Sequence, residues 1–145
     1  MAIYKELQLQ SEVFAFPIDI KLNAEDWYVR IGAPLHQVVQ IRPHLFNPSL
    51  VTVNNLYGSC LFNLVADRKQ GNYWTVWTEG TLKADLSLAN NTVTIHDKES
   101  GQQFEFSVHN AADLGKQEKQ MLAAAIMDTW QEISRTAAGT SRAMA

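Results

Sequence analysis

The sequence is short of the residues that build several common functional sites. It contains one cysteine, Cys60, so no disulfide can form within the chain. Its seven glycines stand singly at turns and at the ends of predicted elements, and no glycine-rich phosphate loop occurs. The sequence therefore predicts neither a disulfide scaffold nor a nucleotide site built on the usual loops.

Clusters of positive charge are also scarce. Twelve Lys and Arg stand against fifteen Asp and Glu, which gives a net charge of −3. The basic residues are scattered, and only Arg68 with Lys69, and Lys116 with Lys119, come close together. Because affinity for a phosphate backbone depends on clustered cations, we expect no nucleic-acid partner.

Long apolar runs are missing as well. No basic stretch followed by an apolar stretch opens the chain, and no apolar run approaches the ~20 residues needed to cross a bilayer. Cys60 lies in the apolar run CLFNLVA, which predicts a buried, unreactive thiol. We expect no membrane span and a cytoplasmic protein, or one incorporated into a virion or secretion-type assembly without a signal peptide.

Metal ligands and catalytic groups do not converge in the sequence. No two of the four histidines have the spacing of a zinc finger or of a helical ligand pair. His96 and His109 could act together only if their strands are neighbours, and Asp97 and Glu99 lie in a turn that needs polar residues anyway. We expect no metal and no cofactor, and an enzyme is not the favoured function.

What the sequence does contain is strand periodicity. Apolar and polar residues alternate over 82–88, 92–96 and 103–108, and short runs of turn-forming residues separate these segments. A period of two predicts strands with one dry and one wet face, and the short turns predict an antiparallel meander. Further strand patterns cover 3–10, 14–22, 27–31, 50–57, 59–66 and 73–78.

Two neighbouring segments are harder to interpret. Residues 35–41 fit either a helix or a strand, and their β-branched residues favour the strand. Residues 42–48 contain Pro43 and Pro48, which predicts a surface loop. If Leu45 and Phe46 are exposed in that loop, they form a contact point for another molecule.

The period changes after Val108. Apolar residues recur at helical spacing, which predicts one amphipathic helix over about 113–136, started by Asn110 or Asp113 and stopped near Gly139. The apolar stripe predicts that the helix docks on the sheet, and it comprises Leu122, Ala125, Ile126, Thr129, Trp130 and Ile133.

These elements predict a single α+β domain over residues 1–136. We expect an antiparallel β-sandwich or a curved sheet of about eight strands, with the C-terminal helix packed on it. The small, polar residues 137–145 predict a flexible tail.

Three functions are compatible with this pattern. The favoured one is a non-enzymatic interaction protein: a structural subunit or accessory of a larger assembly, such as phage or secretion-type machinery, or an assembly chaperone. It would bind a protein partner or a second copy of itself through aromatic side chains that are exposed or are not needed to fill the core. The five candidates are Phe46, Trp27, Trp74, Trp77 and Trp130.

The alternative function is a small-molecule or lipid-binding module. Its pocket would be lined by Trp27, Trp74, Trp77 and Phe104. A small hydrolase or isomerase that uses a histidine with a carboxylate is the least favoured.

Overall fold

The computed structural model describes residues 4–12, 17–33, 35–109, 111 and 114–144. Within these ranges, ten antiparallel strands, each paired with the next along the chain, form a barrel that closes where β1 pairs with β10. The strands are β1 (Tyr4–Gln10), β2 (Ile18–Asn23), β3 (Tyr28–Ile31), β4 (Gln37–His44), β5 (Asn47–Asn54), β6 (Cys60–Ala66), β7 (Tyr73–Thr78), β8 (Thr81–Ala89), β9 (Thr92–Asp97) and β10 (Gln103–His109).

The closed barrel confirms part of the predicted fold class and corrects the rest. The protein is rich in antiparallel β-structure and has one C-terminal helix, as predicted, but the sandwich or curved sheet of about eight strands is wrong. The strands carry their buried residues mainly on one parity, so the sheet has one apolar face. Such a sheet can bury that face by curling until its first and last strands meet, and closure also pairs the strands that would otherwise form its edges.

The predicted loop over 42–48 is mostly strand. β4 continues to His44 and β5 begins at Asn47, so that only Leu45 and Phe46 form the turn. Pro43 is accommodated because the register between β4 and β5 shifts between Pro43 and His44, and a bulge is a place where a strand can do without one N–H donor. Residues 35–41 do contain the start of β4, as their β-branched residues predict.

The helix α1 (Lys116–Met144) runs through the inside of the barrel. Ten consecutive residues, 120–129, are buried on every side of the helix, none more than 7% exposed. Their apolar members belong to the same cluster as the inward residues of the strands. A helix docked on the outside would keep one face in water, so the barrel must surround this segment.

The two ends of the barrel are defined by the helix. At the proximal end, where α1 begins, Lys5 Nζ contacts Glu118 Oε1 at 2.9 Å and Gln117 Nε2 donates to the carbonyl of Ala24 at 2.7 Å. At the distal end, Trp130 stacks on Phe104 with ring centroids 3.7 Å apart. Because the strands run up and down in order, the proximal turns are 24–27, 45–46, 67–72 and 90–91.

The start of the helix is closed by a side-chain cap. Glu118 Oε1 accepts a hydrogen bond from the Gly115 backbone N–H at 2.9 Å, which satisfies a donor that the helix itself cannot use. Burial alone would raise the pKa of Glu118, but the Gly115 N–H and the Lys5 ammonium outweigh it and lower that pKa below its ordinary value.

The helix therefore differs from its prediction in surroundings and in length. Gln120 and Asp128, polar residues outside the predicted apolar stripe, are 7% and 2% exposed, because the barrel wall covers that side of the helix too. The backbone continues as helix through Gly139 to Met144, past the predicted stop. The predicted start residues Asn110 and Asp113, and the strand residues Phe14 and Phe16, lie outside the described part of the chain.

Candidate interaction surface

The turn between β4 and β5 presents two large apolar side chains to solvent at the proximal end. Leu45 is 86% exposed and Phe46 is 87% exposed. The strand after them is held in place, because Asn47 Oδ1 accepts hydrogen bonds from the Ser49 backbone N–H and from Arg68 Nη2, each at 3.2 Å. We call Leu45 and Phe46 the proximal tip.

A second apolar pair lies at the other end of the same strand β5. Leu56 is 60% exposed and Tyr57 is 92% exposed, in the distal turn between β5 and β6. Asn55 organises this turn, since its Oδ1 accepts hydrogen bonds from the backbone N–H groups of Tyr57 at 2.9 Å and Ser59 at 3.0 Å. Gly58 closes the turn with φ of 82°, a conformation that favours glycine. We call Leu56 and Tyr57 the distal tip.

These four side chains are the exposed large apolar residues in the described part of the chain. The proximal tip precedes β5 and the distal tip follows it, so they stand at opposite ends of one strand. Most apolar side chains of the strands point into the lumen instead. The tips are thus exceptions in this barrel, whose other large apolar side chains are at least partly buried.

Of the five aromatics predicted for an interface, Phe46 alone is largely exposed. Trp74 is 4% exposed and belongs to the core, while Trp27 and Trp130 are half-buried against it. Trp77 is half-buried on the outer wall, where its Nε1 donates to Thr75 Oγ1 at 2.9 Å.

The predicted pocket aromatics are likewise spread through the molecule. Trp27 lies in a proximal turn, Trp74 points into the core, Trp77 sits outside, and Phe104 stacks on Trp130 at the distal end. The structure does not bring these four residues together around one cavity, because Trp74 and Trp77 have opposite parity on β7 and the other two sit at opposite ends.

The outer wall carries a charged cluster centred on Asp85. Lys98 Nζ lies 2.9 Å from Asp85 Oδ2 and His96 Nδ1 lies 3.3 Å from Oδ1. Tyr73 also hydrogen-bonds to this carboxylate. Burial raises the pKa of Asp85, but the hydrogen bonds from Lys98 and Tyr73 outweigh it, so the pKa lies below its usual value. Burial and the same carboxylate raise the pKa of Tyr73.

His96 and His109 do not meet. β9 and β10 are neighbours, but His96 pairs with Gln103 whereas His109, at the other end of β10, pairs with Gln8 of β1. In the part of the chain that the structure describes, no three His, Cys, Asp or Glu side chains are grouped as a metal site requires.

An open cleft of about 520 Å³ lies where the helix leaves the barrel at the distal end. Cys60, Leu61 and Thr78 line one side, and Met127 and Trp130 of the helix line another. Lys83 and Glu99, also in the cleft wall, form an ion pair at 2.7 Å.

Cys60 at this rim is exposed, so the predicted burial of its thiol is wrong. It shares the parity of the buried Phe62 and Leu64 on β6. The register shift between Val53 and Asn54 of the paired strand separates Cys60 from that alternation.

The sequence also contains signals that the interface prediction does not use. Leu56 and Tyr57 stand between Asn55 and Gly58, and this turn chemistry predicts a tip rather than a strand position. The charged turns 24–27 and 67–72 can be recognised in the sequence as turns, but their position beside the proximal tip depends on the sequential antiparallel pairing of β2 to β7.

No helix in the described ranges is both long and apolar enough to cross a membrane. The chain matches no family model, no curated protein and no solved structure.

Proposed function

We propose that this protein is a non-enzymatic interaction module, a structural subunit or accessory of a larger protein assembly. The observation that carries the proposal is the pair of exposed apolar tips, Leu45 with Phe46 and Leu56 with Tyr57, at the two ends of β5. Aromatic side chains in such positions are the usual anchors of protein interfaces.

The construction of the tips supports this role. A singly exposed apolar side chain is common on any protein, but here each tip presents two in succession. The distal turn is fixed by the two hydrogen bonds to Asn55 Oδ1. A side chain presented by an ordered turn loses less conformational freedom on binding, and this favours affinity.

The filled lumen argues against a lipid-binding barrel. Barrels that carry a ligand hold it in the lumen, whereas here residues 120–129 of α1 occupy that space. A small ligand would instead have to bind outside the lumen, and the distal cleft, with a volume of about 520 Å³, lies within the ordinary range for ligand sites. That cleft is the observation that favours the second candidate function.

The experiment that tests the interaction role compares complexes formed in the native cells. Tagged wild-type chain, a proximal variant (Phe46→Ser), a distal variant (Tyr57→Ser) and a control (Gln102→Ser) are cross-linked in cells and purified. Gln102 is exposed and polar, and lies in a turn away from both tips. We expect a defined partner, or a second copy of the chain, that is lost from at least one tip variant and retained by the control.

Equal recovery of every cross-linked species from all four chains would contradict the interaction role of the tips. The ligand-binding alternative has its own readout: a compound that raises the unfolding temperature of wild type but not of Trp130→Ala, whose indole lines the cleft. Such a result, with no tip-dependent complex, would favour the second function.

A further inference from the structure

Three neighbouring turns at the proximal end differ in charge. The strand order places the turn 24–27 on one side of the proximal tip and the turn 67–72 on the other. The first turn carries the exposed Glu25 and Asp26, and the second carries the exposed Arg68 and Lys69. An acidic turn, an apolar tip and a basic turn therefore follow one another around this rim.

Local hydrogen bonds order the basic turn 67–72. Asp67, the one acidic residue of the basic turn, accepts hydrogen bonds from the backbone N–H groups of Lys69 at 2.8 Å and Gln70 at 2.9 Å. Its carboxylate is thus committed to the turn itself. Arg68 is drawn towards the proximal tip by its bond to Asn47.

The acidic turn is ordered in a comparable way. Asn23 Oδ1 accepts a hydrogen bond from the Asp26 backbone N–H at 2.9 Å, and Asn23 Nδ2 donates to Asp26 Oδ2 at 3.3 Å. Asn23 is fully buried, so this turn is anchored to the barrel. Adjacent turns on one rim are separated by two strand spacings, about 10 Å, which places each charged turn within reach of a molecule seated on the tip.

This order of charges is complementary to itself. A two-fold axis through the proximal tip, perpendicular to the barrel axis, reverses the order of the turns on the facing copy. The acidic turn of each copy then faces the basic turn of the other, and the two Phe46 side chains meet at the centre. Two-fold dimers are the commonest symmetric oligomers, and their interfaces have this self-complementary form.

We propose that the proximal end is a homodimer interface, at which two copies of this chain associate end to end about a two-fold axis through Leu45 and Phe46. The inference rests on the proposed function and names a second copy as the partner at this tip. The distal tip, at the opposite end of β5, stays free for a different partner.

The expected association is weak. Leu45 and Phe46 supply a small apolar centre, since an aromatic side chain buries about 150–250 Å², and three turns offer less than the roughly 1,200 Å² of a stable interface. The charges around it are exposed and therefore screened by salt. Dimers should form at high protein concentration and dissociate on dilution or on addition of salt.

The first experiment measures the mass of the purified chain by sedimentation equilibrium, from dilute solution up to the solubility limit. Wild type should approach twice the monomer mass, Phe46→Asp should remain a monomer, and the distal control Tyr57→Asp should dimerise like wild type. Wild type that stays monomeric throughout, or a Phe46→Asp chain that still dimerises, would overturn the proposal. So would loss of the dimer in Tyr57→Asp alone, because this would place the contact at the distal end.

The second experiment tests the two-fold arrangement by exchanging charges. Glu25→Lys and Lys69→Glu change exposed side chains that form no ion pair within the described residues. Each substitution acts twice in a symmetric dimer, so each variant alone should dimerise about tenfold more weakly, the result of a few exposed like-charge contacts.

An equimolar mixture of these two variants should recover the affinity of wild type. The lysine introduced at position 25 of one chain then faces the glutamate introduced at position 69 of the other, and the unchanged Lys69 and Glu25 face each other as before. No recovery in the mixture would rule out the two-fold arrangement. The unfolding temperature of each variant, which should match wild type, separates a lost contact from a lost fold.

These results are separable from those of the cross-linking experiment. A pure chain that never dimerises, combined with tip-dependent complexes in cells, would overturn the homodimer and leave the interaction role intact. A pure chain that dimerises through Phe46, with no tip-dependent species in cells, would overturn the cellular interaction role and leave the self-complementary surface as a property of the protein.

Discussion

Asp85 is a charged side chain enclosed in the outer wall of the barrel, with Lys98, His96 and Tyr73 around its carboxylate. Because its pKa is lowered in the folded state, the ionised form stabilises the fold. That stabilisation is complete above the unfolded-state pKa of about 3.9 and is lost as the pH falls through the lower folded-state pKa.

We predict that Asp85→Asn lowers the free energy of unfolding at neutral pH by about 1.5–3 kcal/mol, the range for hydrogen bonds to a charged group. The difference in free energy of unfolding between wild type and Asp85→Asn should narrow as the pH falls below about 4. Urea unfolding at a series of pH values measures it, with Glu105→Gln, an exposed carboxylate on β10, as the control. A gap that does not change with pH would show that charge is not what Asp85 contributes.

The Trp130 and Phe104 rings form an aromatic contact between helix and barrel at the distal end, with planes inclined by 33°. Both side chains pack on the core, so we predict that Trp130→Ala costs about 3 kcal/mol of folding stability, the lower part of the range for aromatic truncation. The double variant with Phe104→Ala should be more stable than the sum of the single effects implies, by about 0.5–1.5 kcal/mol. Denaturant unfolding of wild type, the two single variants and the double variant, all in dilute solution, measures this double-mutant cycle. If the single effects are strictly additive, the contact between the two rings contributes nothing to stability.

At the scale of elements, the narrow middle of α1 is what lets a helix fit inside ten strands. Ala123, Ala124 and Ala125 are at most 1% exposed, so water does not reach any of the three. Three small residues in succession allow the inward side chains of the strands to approach the helix backbone closely. Larger inward residues, such as Phe62 and Phe106, fill the remaining lumen.

We predict that Ala124→Leu destabilises the protein by about 1–3 kcal/mol, although leucine is nearly as good a helix former as alanine. The loss comes from overpacking, since the added atoms have to displace strand side chains. Lys116→Leu, at an exposed position on the same helix, is the matched control and should change stability little. If both variants unfold at the same denaturant concentration as wild type, the helix does not fill the barrel at Ala124.

The strands and the helix also show how far sequence reasoning reaches. Alternation at period two is a local signal, so strands such as β9 and β10 are readable from residues 92–96 and 103–108. Closure is different, because the pairing of Leu9 with Val108 joins residues far apart and has no local signal. The helix stripe predicts docking on one face, but Ala123 and Ala124 carry too little hydrophobicity to reveal that the other face is buried as well.

The candidate interaction surface is also only partly predictable from the sequence. Phe46 is readable as an exposed turn residue because Pro43 and Pro48 flank it, and the charged turns are readable from their polar residues. That Glu25, Phe46 and Lys69 share one rim follows from the sequential antiparallel pairing of β2 to β7, and local periodicity does not determine which strands pair.

At the scale of the whole molecule, the barrel and its helix depend on each other. The helix follows β10 in sequence, and β1 and β10 pair around it. Among the described residues, the closing seam has three register pairs, from Gln8 with His109 to Gln10 with Ser107, against six between β1 and β2. A short seam between distant segments forms late, because it carries the largest loop-closure cost for the fewest contacts.

A chain that ends after Leu114 should therefore fail to form the native barrel. Its lumen would lose Leu122 and Ile126, each worth about 1.5–3 kcal/mol of burial, and would expose the inward residues of the strands to water. We expect far-UV circular dichroism typical of strands, no near-UV signal from Trp74, and binding of a hydrophobic dye, the properties of a collapsed but unpacked state. A chain that ends after Thr136 keeps the buried segment 120–129 and should retain the near-UV spectrum and cooperative unfolding of wild type. If the shorter chain instead unfolds cooperatively at the wild-type temperature, the barrel is self-sufficient and the helix only occupies a space that the strands enclose without it.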